Sequence, residues 1–177
     1  MAKGKSARTT LLSTVVGVTA LSIVSGASAE SLEMSSYSNP PGGKEIEARD
    51  FDAAIAAAVQ PSRRFDAEEG LVASTNLCVA YTVKRELEAA EAACAEALTL
   101  AVRADRVPGT RIPKSEARAR ALTNRGVLRA LTGDSLGAAA DFRQAERLSH
   151  AWDAPSRNLE YLESSPAHRL AMARAAN

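Results

Sequence analysis

At 177 residues, the chain is long enough for one domain with its own core and too short for two of ordinary size. Its formal charge of +1 and its 4% of aromatic residues disfavour nucleic-acid binding, which needs cationic surface and stacking platforms. Alanine, the strongest helix former, is abundant. We therefore expect closely packed helices and little or no sheet.

The first 29 residues have the pattern of a secretory signal peptide. A basic start precedes a mostly apolar run over residues 11–24, and small residues at 27–29 suit signal peptidase, which predicts cleavage between Ala29 and Glu30. The run is shorter than the roughly 20 apolar residues of a membrane span, so no stable membrane anchor is expected. The sequence predicts an exported chain, periplasmic or secreted, whose formal charge falls from +1 to −2 on cleavage.

Residues 30–43, ESLEMSSYSNPPGG, are predicted to form a disordered linker. Serine, asparagine, proline and glycine dominate the segment, and no hydrophobic period is present. The helical domain is then predicted to span residues 44–177. Its first helix begins at Glu45 or Asp50, and Pro61 ends it.

Two amphipathic helices are predicted between Leu71 and Leu100, joined by a corner near Lys84 and Arg85. Asp66 is the expected N-cap of the first. A loop over residues 106–113 follows, and four more helices complete the domain. Their predicted ranges are 114–131, 135–148, 154–163 and 166–175.

Cys78 and Cys94 lie one on each helix of this central hairpin. An oxidising compartment permits a disulfide, which needs Cα atoms roughly 4.4–6.8 Å apart. Two buried cysteines that act as small apolar residues explain the sequence equally well. Both alternatives stay open.

Segments that begin at Asn76 and Asn124 align with a constant offset of 48 residues. In each, the asparagine is followed by a small residue, a valine, a helix corner and two alanines. The recurring pairs are Cys78 with Gly126, Ala90 with Ala138, and Ala97 with Ala145. A weaker half-copy surrounds Ala54.

This pattern resembles the tetratricopeptide repeat (TPR) family. The small residues, the paired alanines, the Gly133 corner and the bulky Phe142 match the family's positions. The resemblance implies an all-α fold, a short right-handed solenoid of antiparallel helix hairpins with about seven helices. Its best repeats are about 71–104 and 117–150, with residues 153–177 as capping helices. The departures are Arg85 and Arg129 at a corner and an aromatic position, and an offset of 48 instead of about 34.

The resemblance also implies a groove along the first helix of each pair, where family members hold peptides. Asn76 and Asn124 would bind the backbone of a partner peptide there, and Arg120, Thr123 and Val127 would line the same groove. The alternative for the two asparagines is a hydrogen bond between stacked helices.

The sequence offers little for chemistry. His150 and His168 lack companions at metal-ligand spacing, and no nucleophile or phosphate-binding motif occurs. We therefore predict no catalytic residues, no metal, no cofactor and no enzymatic activity.

Three functions remain from the sequence. The leading one is an exported module that binds a protein or peptide in the groove. The alternative is binding of a small ligand or an anionic envelope polymer, because residues 103–129 hold eight basic and two acidic residues. The third is self-association as a structural accessory domain.

Overall fold

The computed structural model describes residues 32–59, 66–103, 111–149 and 152–175, and the backbone of residues 18–23. This part of the chain holds eight helices and a two-stranded antiparallel sheet, so the prediction of a helical fold is confirmed and a small sheet is added. The elements are β1 (Val18–Ile23), β2 (Leu32–Tyr37), α1 (Gly43–Glu47), α2 (Phe51–Ala58), α3 (Ala67–Lys84), α4 (Leu87–Arg103), α5 (Lys114–Thr132), α6 (Ser135–Leu148), α7 (Ala154–Ser164) and α8 (Pro166–Ala175). None of the described helices has the length and apolarity to span a bilayer.

Local signals place the helix ends. Asp66 caps α3, as the sequence predicted, and accepts a hydrogen bond from the Glu69 N–H. The Glu69 side chain accepts in turn from the Asp66 N–H, which completes a capping box. The corners after α3 and α5 both take left-handed backbone, at Arg85 (φ 62°) and Gly133 (φ 93°). The helix predicted from residue 45 is two helices, because Arg49 also takes positive φ and Asp50 caps a new start. Pro61, residues 106–110 of the predicted loop and the Ala29–Glu30 cleavage site lie outside the described residues.

Helices that follow one another in the chain pack side by side. The hairpins α3–α4 and α5–α6 have the most extensive contacts, and α4 packs against α5. At the ends of the array, α2 packs against α3 and α6 against α7. Strand β2 contacts α3, α5 and α7, the first helices of three successive pairs. The strand therefore crosses one side of the whole array.

The two main hairpins close at equivalent places by different means. In the first, Cys78 and Cys94 form a disulfide with a Cα–Cα distance of 4.7 Å. In the second, 48 residues later, Gly126 lies against the Phe142 ring, and an added Cβ would come within 2.5 Å of Phe142 Cε1. A cross-link over 16 residues of sequence stabilises a fold by about 3 kcal/mol in the chain-entropy model.

The prediction of a disordered linker over residues 30–43 is wrong for residues 32–43. The segment 32–37 is strand β2, and its Met34 and Tyr37 are 0% and 1% exposed. The glycines then make a tight reversal into α1: Gly42 has φ 87°, and a side chain on Gly43 would collide with the Tyr37 carbonyl. The polar composition suggested a linker because the side chains of Asn124 and Arg120, which bind the buried Ser35, lie 89 and 85 residues away in the sequence.

Strand β1 lies within the predicted signal peptide and pairs with one edge of β2. The two strands are antiparallel, with Leu21 opposite Met34 and Ile23 opposite Leu32. Residues 18–23 and 32–37 form six paired positions. Apart from this strand, the predicted signal peptide lies outside the described residues.

The Gly126–Phe142 contact predicts opposite effects for two glycine substitutions. Gly126→Ala should lower the free energy of unfolding by about 1–3 kcal/mol, because the methyl group overpacks against the ring. Gly70→Ala, in α3, should raise it by about 0.5–1 kcal/mol, since its Cβ meets only Leu100 Cδ1 at 3.7 Å. Urea denaturation of both variants measures the difference. Equal effects would contradict the close packing of Gly126.

Candidate functional site: an asparagine ladder

Three buried asparagines face β2, one from each of the helices α3, α5 and α7. They are Asn76, Asn124 and Asn158, each 1% exposed. An amide this deeply buried must find partners for both its oxygen and its nitrogen. Here the backbone of β2 supplies those partners.

Each asparagine forms a pair of hydrogen bonds with a single strand residue. The Oδ1 atom accepts from the strand N–H and the Nδ2 atom donates to the C=O of the same residue. The N–H distances are 2.8 Å for Tyr37 to Asn76, 2.8 Å for Ser35 to Asn124 and 2.7 Å for Glu33 to Asn158. The matching Nδ2–O distances are 3.1, 2.8 and 2.8 Å. We call this set of six bonds the asparagine ladder.

The ladder binds one edge of the strand. Alternate residues of an extended chain direct their N–H and C=O groups to the same side, so Glu33, Ser35 and Tyr37 share an edge. A primary amide presents a donor and an acceptor side by side, as a neighbouring strand does. The asparagines thus bind backbone irrespective of side-chain identity, and Asn76 also donates to the Pro41 carbonyl at 3.0 Å.

Arg120 adds side-chain contacts at the middle of the strand. Its guanidinium is 2% exposed, donates to Glu116 Oε1 at 2.6 Å from Nη2, and also donates to the Ser35 hydroxyl. The same group lies 4.9 Å from the centre of the Tyr37 ring and 5.7 Å from that of Trp152. The buried charge is therefore paired and stacked, as a guanidinium in a protein interior must be.

Tyr37 is held by its ring and not by its hydroxyl. The phenol oxygen is buried and has no hydrogen-bond partner among the described residues. Burial raises the pKa of Tyr37 well above its ordinary value, and the nearby Arg120 charge opposes that rise only in part. The ring therefore contributes packing, at the cost of an unsatisfied hydroxyl.

The predicted groove residues divide into two groups. Asn76, Asn124 and Arg120 come together, as the sequence predicted for a groove that binds a peptide backbone. Thr123 instead donates to the Ala119 carbonyl of its own helix, and Val127 is buried in the apolar core. In the structure, the backbone that these asparagines hold is the chain's own strand β2, which fills the predicted groove.

Sequence reasoning missed Asn158 and β2. A signal for Asn158 was present, because it follows Asn124 by 34 residues, the usual TPR spacing. The repeat with the 48-residue offset does not include Asn158. Strand β2 had no such signal, since the groups that satisfy its backbone come from positions 39, 89 and 125 residues away.

Three arginines of the basic stretch 103–129 are engaged within the domain. Arg125 makes two bonds to the Asp141 carboxylate, at 2.6 and 2.8 Å, and Arg129 adds a third at 2.9 Å. These bonds hold α5 against α6. The two bonds that Arg125 donates to Asp141 also raise the pKa of Arg125 above its ordinary value. Arg120 is buried against β2, and Arg106 lies outside the described residues.

An apolar cleft opens beside the Leu32 end of β2. Its volume is about 440 Å³, and Leu131, Tyr161 and Leu170 contribute to its walls. Within the described ranges, no group of three or more histidine, cysteine or acidic residues is arranged to hold a metal ion.

Comparison of the chain with protein-family models, with curated proteins and with solved structures finds no match. The TPR resemblance therefore depends on the residues themselves. These are the repeated asparagines, the small residues at the helix crossings and the alanines of α4 and α6.

Removal of one rung should destabilise the fold. Asn124→Ala leaves the Ser35 N–H and C=O buried without partners, which should lower the free energy of unfolding by about 2–4 kcal/mol. Thr99→Ala is the control, because that exposed hydroxyl bonds only to its own helix, and it should change stability by less than about 0.5 kcal/mol. Chemical denaturation measures both. Similar losses in the two variants would contradict a ladder that stabilises the strand.

The buried Tyr37 hydroxyl predicts an alkaline effect. The folded state keeps the phenol protonated above pH 10, where the unfolded chain ionises, so stability should fall as pH rises past 10. Tyr37→Phe removes both this dependence and an unsatisfied hydroxyl. The variant should be as stable as wild type or up to about 1 kcal/mol more stable at pH 8. Denaturation at pH 8 and pH 11 tests this, and an unchanged slope in the variant would refute it.

Proposed function

We propose that the chain is a non-catalytic, exported interaction module of TPR-like helix pairs that binds an extended protein segment. The observation that carries the proposal is the asparagine ladder. One asparagine from each of three helix pairs binds alternate residues of an extended backbone. Because these asparagines already hold β2, a partner segment would bind beside this strand or take its place.

The site's chemistry supports binding over catalysis. Primary amides do not titrate, and they are poor nucleophiles, so they can orient a backbone but not transfer protons. Arg120, the one buried arginine or lysine among the residues that the structure describes, is engaged by Glu116 and β2. Recognition through main-chain hydrogen bonds is an established way to bind extended peptides.

Two further observations support the TPR-like and exported parts of the proposal. The asparagines recur at offsets of 48 and 34 residues, and both main hairpins turn through left-handed corners. A disulfide within the first hairpin fits an oxidising compartment. No comparable observation favours an anionic polymer, because Arg120, Arg125 and Arg129 of α5 are engaged within the domain.

A peptide array tests this function. The chain is recovered from the envelope of cells that express it and probed against short extended peptides, with an anionic polysaccharide as a parallel ligand. We expect binding to a subset of the peptides, weakened at least about tenfold by Asn124→Ala and unchanged by Thr99→Ala. No peptide binding, or binding to the polysaccharide alone, would contradict the proposal.

A further inference from the structure

We propose that the outer edge of β2 is a strand-acceptor site for an uncharged, extended segment of another protein. The inference rests on the proposed function and specifies its binding edge and its class of ligand. The acceptor groups are the backbone N–H and C=O of Leu32 and Met34. Ser36 lies at the end of the same row, and its carbonyl also accepts from Arg120 Nη1 at 3.4 Å.

The ladder itself creates this acceptor. The asparagines take the edge formed by residues 33, 35 and 37, so the groups of residues 32, 34 and 36 face the other way. An isolated strand is seldom stable, but this one is fixed to three helices by six hydrogen bonds. It is therefore a rigid first strand on which a second can form.

Strand β1 shows which ligand fits. It lies antiparallel on that edge, with Leu21 opposite Met34 and Thr19 opposite Ser36. Its sequence, VTALSI, has no charged residue and no proline, and it includes two β-branched aliphatic residues. A partner segment of the same chemistry can form the same backbone hydrogen bonds with β2.

Processing would free the edge. Strand β1 lies before the predicted cleavage site between Ala29 and Glu30, whereas β2 and all three asparagines lie after it. Cleavage there removes the occupant and leaves its binding edge in place. An unpaired edge with buried apolar neighbours favours pairing with a new strand. While β1 is still tethered, its effective concentration, on the order of millimolar, keeps the edge closed.

A segment of another protein fits this edge better than a second copy does. In a second copy, β2 has its own α3, α5 and α7 on the opposite edge, so edge-to-edge pairing of two copies would bring two helix arrays close together. A flexible segment of another protein has no helix array packed against its other edge, so no helices have to be brought together. Self-association is therefore an outcome that the test must separate.

The test uses the full chain and a fluorescent peptide of residues 17–24, GVTALSIV. Leu21→Pro removes an N–H that faces β2, so it should release β1 and strengthen peptide binding at least about tenfold over wild type. Ala20→Pro is the matched control, because the Ala20 N–H faces away from β2. It should leave the edge closed. Fluorescence anisotropy measures the affinities.

Two methylated peptides test the backbone contact directly. An N-methyl group at the residue equivalent to Leu21 should weaken binding to the Leu21→Pro chain at least about tenfold, because it removes a backbone hydrogen bond to β2 and adds bulk at the outer edge of β2. The same group at the residue equivalent to Ala20 should change affinity by less than about threefold. Equal losses would overturn the inference, as would a Leu21→Pro chain that binds the peptide no better than wild type.

Sedimentation of the Leu21→Pro chain distinguishes a partner segment from a second copy of the chain as the occupant of the β2 edge. A monomer that binds the peptide supports the inference, whereas a dimer that does not bind it would overturn the inference in favour of a second copy. If the array peptides bind while GVTALSIV fails, the inference falls and the proposed function stands. If neither binds, both fall.

Discussion

The structure depends on one requirement: the backbone of a buried strand needs hydrogen-bond partners on both edges. Strand β2 crosses a surface of helices, whose own backbone groups are already engaged, so side chains must supply one edge. Asparagine meets the requirement because its amide has the donor and acceptor arrangement of a peptide unit. Three such residues, at equivalent places on α3, α5 and α7, convert a helical surface into the equivalent of a neighbouring strand.

This requirement explains why the helix pairs repeat so regularly where they meet the strand. Each rung works only if its helix presents the asparagine at the right height along β2. The crossings that set each hairpin's geometry are correspondingly tight: a disulfide between Cys78 and Cys94 in one, and Gly126 against Phe142 in the other. Either device brings two helices close together. The internal pairing of Arg125 with Asp141 then fixes α5 on α6.

Local sequence predicted what local interactions decide. The cap at Asp66, the corners and the later helix ends follow from capping and turn chemistry over a few residues. The repeat predicted Asn76 and Asn124 as backbone-binding residues. The strand could not be predicted in this way, because residues 32–37 resemble a linker until Asn124 and Arg120, some 85–89 residues away, satisfy them. For the same reason, the sequence did not indicate that β2 fills the predicted groove.

Residue-resolved amide hydrogen exchange tests the ladder most directly. The account predicts slow exchange of the Glu33 and Ser35 amides in the native chain. Asn124→Ala should speed exchange at Ser35 first, and Asn158→Ala at Glu33 first, since each asparagine accepts from one of these amides. Rapid exchange of both amides in the native chain would contradict the account, as would a uniform rise across β2 in each variant.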